Sequence, residues 1–139
     1  MVGPLDKKAV IEAIRDAERG TSGEIRVHLH RVPTNDALSD ARKLFKRLGM
    51  HRTQERNGVL LFIAPKSQTF AIVGDEGIHA RVGDAFWNTT RDRMQKEFSQ
   101  GRLQEGVLAG VRSAGERLKE YFPAKRDDRD ELSNEVTEE

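Results

Sequence analysis

The segment GVLLFIA at residues 58–64 leaves a chain like this few options. Six apolar residues in a row, Val59 to Ala64, read as a strand buried on both faces and therefore central in a sheet. The run is far short of the ~20 residues needed to cross a bilayer, so no membrane span is expected. A central strand needs neighbours. Upstream, GEIRVHLHRV alternates strictly: Ile25, Val27 and Leu29 point one way, and Glu24, Arg26, His28 and His30 the other. That pattern predicts a strand with a single apolar face. Downstream, only Pro65 to Gln68 separates the central run from a third strand over Thr69 to Val73, so the two should form an antiparallel hairpin.

Helices fill the remainder. Val10, Ile11, Ile14 and Ala17 mark an amphipathic helix over Leu5 to Glu18, capped by Asp6 and stopped at Gly20. Asp36 caps a second, with Ala37/Leu38, Ala41, Leu44/Phe45 and Leu48 on one side and Gly49 at its end. Phe86, Trp87, Thr90, Met94 and Phe98 lie at helical spacing, as do Leu103, Val107, Leu108, Val111, Ala114, Leu118 and Tyr121. Gly106 and Gly110 share a face of the last helix, where a close approach to the sheet would offset the roughly 1 kcal/mol that each costs. The order α-β-α-β-β-α-α makes strands one and two parallel through a right-handed crossover, with strand two in the middle. The fold class expected is α/β: a small mixed sheet with helices packed on it, in one domain.

Charge is unevenly spread. Residues 124–139 hold seven acids against Lys125, Arg126 and Arg129, a net of −4, which leaves +5 on residues 1–123. Residues 1–123 are read as the domain and 124–139 as a charged, disordered acidic tail. Acids and bases alternate along the domain instead of gathering beside a reader motif, so nucleic acid is not an expected partner. The absence of cysteine removes disulfides and thiolate chemistry. The start MVGPLDKKAV has no apolar signal region, and a cytoplasmic location is the default expectation.

Topology brings three strand ends to one edge. The starts of strands one and two and the end of strand three gather Glu24, Glu55, Asp75 and Glu76, with Arg56 and Asn57 beside them. Hard cations take six to eight oxygen ligands, so Glu24, Asp75, Glu76 and Asn57 form a candidate site for calcium or magnesium. The alternative is that Arg56 pairs with one acid while solvent screens the others. His28 and His30 share a strand face and could take zinc with a third ligand. His51 reads as solvated, and His79 is the candidate for acid–base work, with Arg56 as a ligand-binding candidate. Asp84, between Gly83 and Ala85-Phe86-Trp87, has the pattern of a helix cap. The chain has no EF-hand spacing, GxGxxG, Walker loop or GxSxG elbow.

TSGEIRVHL, ERNGVLLFIAP, FAIVGDEGIHARVGDAFW and GVLAGVRSAGERLKEYFP, in that order, resemble the TPM domain over about residues 5–123. DELSNEV resembles the end of the short, soluble bacterial members. The resemblance implies an α/β/α sandwich. It also implies a family in which some members bind divalent cations or show weak acid phosphatase activity, while others are accessory proteins in the repair or assembly of membrane complexes. Many members have Gly-Tyr-Gly-Leu-Glu after the third strand, where this chain has Gly74-Asp75-Glu76-Gly77-Ile78-His79. The expectation is a soluble binding or accessory module that engages a protein partner, with calcium or magnesium as its candidate cofactor. The alternative is a weak phosphatase, in which Arg56 neutralises the phosphate and Asp75 or His79 moves protons. No activated nucleophile is visible to support it.

Overall fold

The computed structural model describes residues 4–124 and 136–138, without the side chain of Asp84. In chain order the elements are α1 (Lys7–Glu18), β1 (Glu24–Leu29), α2 (Ala37–Arg47), β2 (Gly58–Ala64), β3 (Thr69–Gly74), α3 (Glu76–Val82), α4 (Asn88–Phe98), α5 (Leu103–Tyr121) and β4 (Thr137–Glu138). The sheet runs β3-β2-β1-β4. β1 lies parallel to β2, with Glu24 opposite Gly58, and β3 returns antiparallel, with Ala64 opposite Thr69.

Every residue of β2 is buried, because each of its faces meets a different core. Val59, Leu61 and Ile63 join Ile25, Val27, Leu29 and Ile72 beneath α1, α4 and α5. Leu60, Phe62 and Ala64 join Ala71 beneath α2 and the 3-10 turn at Met50. Helices thus cover both faces of an open mixed sheet, as expected of the α/β class. Asp6 and Asp36 act as the expected caps, accepting from the backbone N–H groups of Ala9 and Ser39.

Four details differ from expectation. β1 is buried on both faces: Glu24 and His28 are as inaccessible as its apolar residues. A seven-residue helix, α3, follows β3 directly where only a loop was expected. Gly106 and Gly110 of α5 admit α4 rather than the sheet, since a Cβ on Gly106 would lie 2.2 Å from the Phe98 ring and one on Gly110 2.7 Å from the Met94 sulfur. Finally, β4 adds a short parallel strand outside β1, pairing Thr137 with His28. The division into a domain at 1–123 and a tail at 124–139 turns on residues 125–135, which lie outside the described set. Among the described residues, no helix is long and apolar enough to cross a membrane.

Candidate functional site

The end of β3 and the turn before β2 are stitched together through their backbones. Asp75 N–H donates to the carbonyl of Gly58 (3.0 Å), and Gly77 N–H donates to the carbonyl of Arg56 (2.8 Å). Arg56 holds a left-handed backbone, φ +52°, which is uncommon for a side chain of its size. Only a glycine fits at 77, because a Cβ there would stand 2.2 Å from the Glu55 carbonyl oxygen.

Asp75 is the N-cap of α3, its Oδ1 accepting from Glu76 N–H at 2.8 Å. The same carboxylate receives two hydrogen bonds from Arg56, Nε to Oδ2 at 2.8 Å and Nη2 to Oδ1 at 2.9 Å. This is the fork-on-carboxylate geometry that gives charge-assisted pairs their strength and direction. Arg56 Nη1 also lies 3.4 Å from Oε2 of the exposed Glu76. The hydrogen bond to Asp75, followed by the charges of Asp75 and Glu76, raises the arginine's pKa above its usual value.

A second cluster occupies the same edge. Ser22 Oγ donates to Glu55, while Asn57 Nδ2 donates to Ser22 Oγ (3.0 Å) and to Glu55 Oε2 (3.2 Å). Glu24 is buried at the start of β1, opposite Gly58 in the register. The topology therefore gathers the expected residues at one edge, and it divides them into an Arg56-centred set and a Ser22-centred set. Among the described residues, no group of three His, Cys, Asp or Glu side chains is placed to hold a metal ion. As a calcium or magnesium site the arrangement fits poorly, because both Asp75 oxygens face a guanidinium and Glu55 faces two donors.

His28 and His30 do share a face. His28 Nδ1 is 2.6 Å from Thr137 Oγ1 and its Nε2 is 3.4 Å from His30 Nδ1. Both rings lie against Phe62, with centroids 5.3 and 4.7 Å away. The β4 hydroxyl is one partner of this pair. Asp84 opens a 3-10 turn with Gly83 in the cap position, and the cap expected of its side chain lies outside the described set.

Beside the clasp, a cleft of about 750 Å³ opens between α2, α3 and α4. His79 and Glu76 of α3 line it, with Arg42 of α2, Arg91 of α4, Trp87 and Leu38. Leu38, expected on the buried side of α2, is 40% exposed here. Sequence reasoning missed Arg42 and Arg91. They lie on separate helices, and only the packing of those helices on β3 brings them to one hollow.

The TPM domain family model matches residues 2–117. Among solved structures, the BA42 protein of the psychrophilic bacterium Bizionia argentinensis is 46% identical, with a TM-score of 0.89 over 96% of this chain and 92% of that one. The N-terminal domain of a P. gingivalis protein (21% identity, TM-score 0.64, 80% of this chain and 72% of that one) shares the fold. So does an N-terminal domain from Corynebacterium glutamicum, at 16% identity and TM-score 0.66 over 94% of this chain and 82% of that one. No curated protein matches the sequence.

Proposed function

The chain belongs to the TPM domain family, and on that premise we propose that it is a binding or accessory module whose ligand-facing surface is the cleft beside α3. The observation that carries this is that Arg42 and Arg91 line one cleft together with the apolar side chains of Trp87 and Leu38. A concave site of a few hundred Å³ with an apolar lining and a few charged groups is the usual form of a ligand pocket. Two guanidiniums favour an anionic group, a carboxylate or phosphate borne by a partner protein or a small molecule.

Titrating inorganic phosphate and a hexaglutamate peptide while following amide shifts tests this. Binding should move the resonances of α3 and the indole N–H of Trp87, and the Arg42→Gln/Arg91→Gln double variant should abolish the response. A spectrum unmoved by both probes would overturn the reading.

The second reading, a weak phosphatase, draws on His79 lining the same cleft as the two arginines. It requires that hydrolysis of an aryl phosphate fall in His79→Ala; activity that survives belongs elsewhere. Calcium or magnesium on Glu24, Asp75, Glu76 and Asn57, the cofactor expected from sequence, would have to compete with Arg56 for Asp75.

A further inference from the structure

The acidic edge of the sheet already holds a cation supplied by the chain. One guanidinium takes both oxygens of Asp75, whose side chain is only 4% exposed. A buried carboxylate without a counter-charge is strongly destabilising, so something positive must sit there. Calcium would need six to eight oxygens around it. The Asp75 and Glu55 oxygens are already engaged: Asp75 also accepts from Glu76 N–H, and Glu55 accepts from Ser22 and Asn57. Arg56, by contrast, presents a planar pair of donors matched to a single carboxylate.

The backbone keeps it in place. Arg56 stays left-handed while its carbonyl accepts from Gly77, and a Cβ on Gly77 would come within 2.6 Å of that carbonyl oxygen. A strained conformation of this kind persists only where its surroundings over-determine it. We propose that Arg56 is a built-in replacement for a divalent cation at this edge. It ties the turn before β2 to the start of α3 without metal, and calcium or magnesium gains Asp75 only when the guanidinium charge is removed.

The test compares melting temperatures of the parent, Arg56→Gln and Arg56→Gln/Asp75→Asn in EDTA, calcium chloride and magnesium chloride at matched ionic strength. The parent should melt at one temperature in all three. Arg56→Gln should melt about 5 °C or more lower and recover in millimolar calcium or magnesium by ligand linkage. The double variant should lose that recovery. Amide shifts of Asp75, Glu76 and Gly77 in the parent should ignore calcium, and Arg56→Lys, which keeps the charge, should also be insensitive to metal. Calcium-dependent shifts at those amides in the parent, a metal response in Arg56→Lys, or an Arg56→Gln variant no more responsive than the parent would each overturn the proposal. If the glutamine variant does not fold, Arg56→Met serves as the charge-removed arm, and a metal response in the parent or in Arg56→Lys overturns the proposal regardless.

Discussion

Gly106 of α5 and Phe98 of α4 are pressed together so closely that a Cβ on the glycine would stand 2.2 Å from Cε1 of the ring. Phe98 is itself buried, so it has little room to withdraw. Gly106→Ala should therefore overpack the α4–α5 seam, at a cost of about 1–3 kcal/mol, partly offset by the ~1 kcal/mol gained in helix propensity. Gly110→Ala meets the adaptable Met94 instead and should cost less. Urea midpoints at constant slope measure both, and a Gly106→Ala chain more stable than Gly110→Ala would contradict the packing.

Gly77→Ala confronts backbone rather than a side chain, with the carbonyl oxygens of Glu55 and Arg56 in the way. The Arg56 carbonyl cannot rotate aside without breaking the hydrogen bond it accepts from Gly77 N–H. A loss of about 3 kcal/mol is expected, with shifts concentrated at residues 55–58 and 74–78. A variant of parental stability would mean that the turn yields.

Asp36→Ala removes the carboxylate that accepts from Ser39 N–H at 3.0 Å. Loss of such a cap costs about 1 kcal/mol, while Asp36→Asn should be almost neutral. Equal effects from the two substitutions would separate the residue's role from capping.

Acid should loosen β4. Glu138 forms ion pairs with Arg31 and Lys7, and the bond from Arg31, then that from Lys7, holds its carboxyl below the usual value of 4.5. A carboxyl lowered in the folded state adds stability that is present above its unfolded pKa and lost as pH falls through the folded one. The amide signals of Thr137 and Glu138 should therefore hold steady at neutral pH and change only below about 4.5, the usual glutamate value. They should also weaken with added salt. A transition above that pH would assign the latch to another group.

The apolar run of β2, its four-residue link to β3 and the caps at Asp6 and Asp36 were all legible, because each is a local pattern with one physical meaning. α3 was not, since it is seven residues long and buries only Ile78, too little to make a stripe. The alternation in β1 was read correctly but given the wrong environment, because Glu24 is buried and the His28 imidazole is buried against Phe62, His30 and Thr137. Two residues of β4 carry no period at all. At the acidic edge, topology gathered the right side chains. Which of them clasp one another depends on the left-handed turn at Arg56, and no residue type announces that.

The placement of β2 also implies an order of assembly. Its link to β3 spans Pro65 to Gln68, whereas its pairing with β1 must close the whole segment between Glu24 and Gly58. Loop-closure entropy grows with the length closed, so the hairpin is the less costly step. Refolding should then pass through a barrier in which β2 and β3 are already joined and β1 is not. Mutational φ-values should be high at Ile63 and Phe70 and low at Ile25. The strand that anchors both cores would thus acquire its two neighbours at different times.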